Sequence, residues 1–144
     1  EVQVVGEWDR GSRELIQGVQ HLGVLDDADL RAVERQSSGL IAPLTEGAGV
    51  KSKVVDALAS GTPLFATSVA LQGLPAIDHA CVRADRPQDW VAGVADLQTR
   101  PEDARARTIA GLAYARDRFG YRAYDSAVSG LLADLAALAV RSTD

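Results

Sequence analysis

Residues 43–63 run Pro43-Leu-Thr-Glu-Gly-Ala-Gly-Val-Lys-Ser-Lys-Val-Val-Asp56-Ala-Leu-Ala-Ser-Gly-Thr-Pro63, and this stretch decides the fold. Its upstream end is an apolar run of strand length, Leu40 to Leu44. Downstream, Ser52 is placed to cap a helix that reaches Ser60 and buries Val54, Val55 and Leu58. Gly61 then suits the left-handed position after a helix, and Pro63 blocks any continuation. Thr45 to Lys53 therefore leaves a strand and enters a helix, where free backbone N–H groups and the positive end of the helix dipole converge. An anion fits there. Gly47 and Gly49 let backbone approach a ligand with no Cβ in the way, and Lys51 and Lys53 add formal positive charge. The glycine pair alone suits a plain tight turn with solvated lysines equally well. Asp56 favours the ligand reading, because a carboxylate accepts two hydrogen bonds side by side and so suits the vicinal hydroxyls of a ribose; an acid in the first turns of a helix also serves as a dipole partner.

Working outward, Val2 to Val5, Val19 to Leu25, Pro63 to Thr67 and Cys81 to Ala84 are further short apolar runs bounded by Gly, Pro or Asp, as strands are. Asp26 or Asp27 can cap a helix reaching Arg35, with Leu30 and Val33 on one face. Strands alternating with short helices imply an α/β fold with a parallel sheet covered on both faces, as in doubly wound folds. The last third is helical. Pro87 and Pro101 suit first helical positions, with Asp85 and Thr99 within capping reach. The first of three helices shows Trp90, Val91, Val94 and Leu97, the second Ile109, Leu112 and Ala113, and the third Tyr124, Val128, Leu131, Leu135 and Leu138. No repeat or low-complexity linker interrupts the chain, and its 144 residues suit one domain with one core.

Composition excludes several classes. No apolar run approaches the roughly 20 residues needed to cross a bilayer. A net charge of −5 with 5% aromatics supplies neither the basic surface that phosphate backbones require nor rings for stacking bases, so nucleic acid is not an expected partner. Cys81 is the single cysteine, and His21 and His79 stand far apart, so neither an internal disulfide nor a metal site is expected; a reducing, cytoplasmic setting fits. The histidines read as structural or surface residues, Cys81 as a small buried apolar residue, and Trp90 as packing. The chain contains no methionine, and Glu1 opens directly into a strand pattern, so a fragment of a longer protein is expected.

The 43–63 stretch resembles the donor-site signature of the retaining, nucleotide-sugar-dependent glycosyltransferases of family 4, and is most similar to the subgroup pattern P-x-x-x-G-x-G-x-(K/R)-x-K-x-x-E-A-x-A-x-G-x-P. Weaker echoes are Val5-Gly6, His21-Leu-Gly-Val-Leu-Asp-Asp-Ala28 before a helix, Thr67 through Gly73-Leu74, and Phe119-Gly-Tyr121. The resemblance implies the GT-B fold of two Rossmann-like domains. Residues 1–144 would be the C-terminal, nucleotide-sugar-binding one without its first strand and helix, and residues 121–140 a helix crossing back to an N-terminal acceptor-binding domain of the same chain. It further implies that Lys51 and Lys53 stabilise the leaving diphosphate and that the amides of Gly47, Ala48, Gly49 and Val50 face phosphate and sugar. Backbone at Val24, Leu25 and Asp26 would meet the base.

Asp56 stands where the family has a glutamate holding the ribose, one methylene shorter, which implies a looser or water-bridged contact. Glu46 lies near a family glutamate that contacts the sugar, but its interval to Asp56 is longer than the family's, so it is either that contact or a solvated loop acid. The whole enzyme is then expected to transfer a sugar from a nucleotide diphosphate sugar with retention, using no cofactor and no metal, while the fragment alone is inactive. The alternatives are a non-catalytic nucleotide- or anion-binding module and a GT-B sugar-nucleotide epimerase.

Overall fold

The computed structural model describes residues 1–7 and 18–141. The chain divides into two compact units, Glu1–Ser37 and Ser38–Asp144. In the first, strands β1 (Val2–Val5) and β2 (Val19–Gly23) pair in parallel, Val2 opposite Val19, and helix α1 (Asp27–Gln36) follows. His21 Nε2 lies 2.8 Å from the carbonyl of Gly6, a structural contact like the one expected of it. Asp26 caps α1, its Oδ1 accepting from the amides of Ala28 and Asp29 at 2.9 Å. No described residue of this unit is fully buried; Leu30 and Val33 are half-buried.

The second unit holds the core. Strands β3 (Leu40–Ala42), β4 (Leu64–Ala66) and β5 (Val82–Arg83) form a parallel sheet in that order, Leu40 opposite Leu64 and Phe65 opposite Val82. Parallel neighbours cannot be joined by a tight hairpin, and helix α2 (Ser52–Ser60) makes the crossover from β3 to β4. Alternation along β4 divides the packing between two faces. Leu64 and Ala66 join Val54, Ala57 and Leu58 of α2 and Tyr114 and Ala115 of α4 (Pro101–Phe119) in one buried cluster. Phe65 points the other way, toward Gly39 and toward Gly93 and Leu97 of α3 (Pro87–Thr99). Helices on both faces of a parallel sheet are thus present, as expected. Helix α5 (Tyr121–Arg141) follows α4.

Some local expectations are corrected. The N-cap of α2 is Lys51, not Ser52, because the backbone is still extended at Lys51 and already helical at Ser52. Asp85 and Thr99 cap nothing: Asp85 accepts from Ser68, and Thr99 donates back to the Ala95 carbonyl inside its own helix. The prolines do stand first in α3 and α4, with Arg86 and Arg100 before them. The faces of the late helices also differ. In α3 the buried residue is Gly93, with Trp90 and Leu97 half-buried, while Val91 and Val94 face solvent; in α4, Ile109 and Leu112 are exposed. Close approach of α3 to Phe65 through a glycine leaves no depth in which the flanking valines could be buried.

Candidate functional site

The second unit places the 43–63 stretch at the carboxyl end of β3, where ligands bind in open parallel sheets. Past Pro43 the chain leaves the sheet, passes through exposed Thr45 to Val50, and enters α2. Gly47 and Gly49 both adopt left-handed backbone, φ 114° and 72°, which L side chains resist and which turns successive amides outward. Among the described residues, no amide from Gly47 to Lys51 donates a hydrogen bond to the protein. Lys51 as N-cap supplies no side-chain acceptor, so the first amides of α2 also lack the partner that Ser, Asp or Asn would provide. At α1 the contrast is plain, since Asp26 satisfies that helix start from within. The open end of α2 is thus an unneutralised cluster of N–H dipoles, suited to an anion.

The charged residues singled out from the sequence lie around this spot. Lys51 folds back over the loop, its Nζ donating to the Gly49 carbonyl at 2.7 Å and its Cε packing against Gly47. Lys53 and Asp56 are exposed in the first turns of α2, an offset of three that puts them on neighbouring faces, and neither makes an ion pair among the described residues. Glu46 is exposed in the loop. Val24, Leu25 and Asp26 belong to the first unit, where they join the carboxyl end of β2 to α1, and Asp26 Oδ1 is occupied by capping.

The segment behind the loop, Thr67 through Gly73-Leu74, stood in the sequence only as a weak echo of the family pattern, with no role given to either residue. Thr67, one residue past β4, donates from Oγ1 to the Leu44 carbonyl at 2.6 Å and accepts from the Ala70 amide at 3.1 Å. Gly73, φ 81°, lies directly against the Gly49–Val50 peptide. Beside it, Ser68 donates from N and Oγ to the two carboxylate oxygens of Asp85, both at 2.7 Å, and Arg83 donates to Ser68 Oγ at 2.8 Å and to Asp78 at 3.0 Å. The Ser68 hydrogen bonds hold the Asp85 carboxyl below its usual range. The signal available in the sequence was a threonine closing an apolar strand and a glycine outside any periodic pattern.

A cavity of about 90 Å³ opens elsewhere, under α3 and α4, floored by Phe65, Val82 and Leu97. Its arginines are already engaged, Arg100 by Asp96 and Asp103 and Arg107 by the carbonyls of Asp78 and Cys81, so it offers no free cation. Cys81 is buried, and burial, helped by the charge of Asp78, pushes its thiol up to about 11. His79 sets its ring edgewise on Tyr114 at 6.3 Å.

Residues 1–100 match the family model described as glycosyl transferases group 1. A search of curated protein sequences found no match. Among solved structures, HepE from Anabaena in complex with UDP is similar at a TM-score of 0.75 and 16% identity, over 92% of this chain and 40% of that one. HepE in complex with UDP-glucose gives 0.72 and 15%, over 92% and 40%. Sucrose-phosphate synthase from Thermosynechococcus elongatus gives 0.72 and 19%, over 94% and 38%. At such identities the likeness shows the fold, that of one Rossmann-like half of a GT-B enzyme. The chain spans about two fifths of the length of the structures it matches.

Proposed function

The chain belongs to the glycosyl transferases group 1 family, and from that premise we propose that it is the donor-binding part of a retaining glycosyltransferase that takes a nucleotide diphosphate sugar. The observation that carries this reading is the uncapped start of α2, where loop amides and two lysines lie together in sequence with no acceptor for the N–H groups among the described residues. Each residue then has a task. The amides from Gly47 to Val50 receive diphosphate oxygens, Lys51 and Lys53 supply charge, and Asp56 takes the ribose hydroxyls directly or through water. Glu46, exposed in the loop, takes the sugar.

As the bond from the anomeric carbon to the diphosphate breaks, negative charge collects on the leaving oxygens. Fixed amide dipoles and ammonium groups stabilise that charge more in the transition state than in the ground state, which is the condition for catalysis rather than mere binding. Such fields are strong only where water is excluded, and the loop is exposed throughout. We assign the covering role to an acceptor-binding domain of the same chain, in a cytoplasmic setting, which agrees with the two-fifths coverage of the matched structures.

The test is donor consumption by the full-length protein. UDP-, GDP- and ADP-sugars, including the UDP-glucose found with HepE, are offered singly, and nucleoside diphosphate release is followed together with the anomeric configuration of the product. One donor class consumed with retention supports the reading; no donor bound or consumed, or inversion, overturns it.

A further inference from the structure

We propose that the turn from Thr67 to Gly73 is the positioning element of the anion loop, and that Thr67 and Gly73 are positioning residues which fix where the Gly49–Val50 peptide lies. This rests on the donor-site reading above and adds two residues to it.

The loop lacks internal support. Apart from the contact of Lys51 with the Gly49 carbonyl, no hydrogen bond of the described residues ties Gly47 to Val50 to one another, and all four are exposed. A floppy loop would scatter its amides, and electrostatic stabilisation depends on dipoles oriented before the charge arrives. The order has to be imposed from outside.

The Thr67–Gly73 turn imposes it at both ends. At the entry, the Thr67 hydroxyl donates to the Leu44 carbonyl and accepts from the Ala70 amide, so one side chain joins the exit of β3 to the turn. The turn is itself stiff: Leu71 N bonds to the Thr67 carbonyl at 3.1 Å, Leu74 N to the Leu71 carbonyl at 3.1 Å, and Ala70, Leu71 and Leu74 are buried in the core. At the far end Gly73 meets the loop. A Cβ built on Gly73 would lie 2.9 Å from Val50 Cγ2, 3.2 Å from Val50 N and 3.5 Å from Gly49 C. Two separate demands thus fall on this glycine, a positive φ and an approach to the Val50 amide closer than a side chain permits.

The demands can be separated by substitution. Asparagine tolerates the left-handed conformation but carries a Cβ. If φ alone mattered, Gly73→Asn would be harmless to binding. If the glycine sets the position of the Val50 amide, Gly73→Asn displaces that amide by a few tenths of an ångström. An amide moved off its phosphate oxygen forfeits most of one charge-assisted hydrogen bond, so about ten-fold weaker binding is expected here.

The experiment titrates the full-length protein with UDP, GDP and ADP and takes the one bound most tightly as the probe. Gly73→Asn and Thr67→Val are each expected to weaken that probe about ten-fold, whereas Thr67→Ser, which keeps the hydroxyl, restores affinity to within about twofold of the parent. Unfolding midpoints are measured alongside; should Gly73→Asn not fold, the Thr67→Val and Thr67→Ser pair decides. Unchanged probe affinity in folded Gly73→Asn and in Thr67→Val overturns the proposal while leaving the donor site standing, as does equal weakening by Thr67→Val and Thr67→Ser. Failure of the parent to bind any of the three nucleotides overturns the donor-site reading and this proposal with it.

Discussion

Lys51 Nζ donates to the carbonyl of Gly49 at 2.7 Å, so the ammonium that follows the loop is spent on the loop itself. Lys53, two residues on, has no such bond among the described residues. The two lysines are therefore unequal. A charge-assisted bond to phosphate is worth about 1.5–3 kcal/mol, but Lys51 turns to a diphosphate from a charge-assisted bond that it already makes to the Gly49 carbonyl, so only the excess is gained. Lys53 gains without that loss. Lys53→Ala is expected to weaken nucleoside diphosphate binding by about 10- to 100-fold and Lys51→Ala by only about 3- to 10-fold. Isothermal titration of the two variants of the full-length protein checks this ordering, and equal or reversed losses contradict it.

Gly93 sits where α3 crosses Phe65, and a Cβ there would lie 2.7 Å from Phe65 Cε1 and 3.3 Å from Val82 Cγ1. Alanine would gain about 1 kcal/mol of helix propensity. Phe65 is fully buried and its ring must shift to admit a Cβ at 2.7 Å, so overpacking of about 1–3 kcal/mol opposes that gain even with the cavity beside the ring. Gly93→Ala should therefore lower stability by up to about 2 kcal/mol in urea unfolding; a stabilised variant would show that the two elements give way freely.

Cys81 offers a pH test. Its folded thiol titrates near 11 against an ordinary 9.0, mainly because burial disfavours the thiolate, with Asp78 adding to the effect. Between those values the unfolded chain has released a proton that the folded one retains, so unfolding is favoured as pH rises. This contribution is fully present below pH 9 and is lost as pH climbs from about 9 toward 11. Cys81→Ala should flatten that part of the stability profile, and the native thiol should react far more slowly with a disulfide reagent at pH 8 than after denaturation. A native thiol that reacts as fast as the denatured one would place Cys81 at the surface.

In α5, Leu131, Leu135 and Leu138 remain 59%, 53% and 60% exposed, the condition required if the stripe belongs against a partner outside this chain. Exposed leucines contribute little to the stability of the unit that carries them. Leu135→Ser should change the stability of the 144-residue chain by less than about 0.5 kcal/mol, against about 2–5 kcal/mol for Leu58→Ala in the core. Comparable losses by chemical denaturation would mean that the helix is already satisfied.

Much of this architecture is written in local sequence. The five strands announce themselves as short apolar runs, and their observed ends are trimmed for identifiable reasons: Pro63 has no N–H to give to a ladder, and β2 stops at Gly23, φ 75°, before it reaches Leu25. The anion loop was legible because glycine spacing, lysines and helix start are neighbours in the chain. The helix caps were less so, since Ser52 is chemically the better cap and only the entry angle of the chain makes Lys51 the boundary. The buried face of α3 was illegible because it is centred on Gly93, which carries no apolar side chain to count. The contacts that Thr67 and Gly73 make with the loop escaped for a different reason, although both residues stand in an echo of the family pattern. Their partners, Leu44 and Val50, stand more than twenty residues away, and no spacing rule within one element reports a contact between two.

The most direct measurement of the central claim is calorimetric titration of the full-length protein with the nucleoside diphosphate it prefers, before and after combining Lys53→Ala with Asp56→Ala. Both side chains are exposed and unpaired among the described residues, so their loss should leave the unfolding midpoint unchanged within about 0.5 kcal/mol. If they hold the diphosphate and the ribose of one ligand, affinity falls at least about a hundred-fold, two lost contacts of roughly 1.4 kcal/mol or more each. Binding as tight as that of the parent, in a folded double variant, would contradict the assignment of this loop and helix as the donor site.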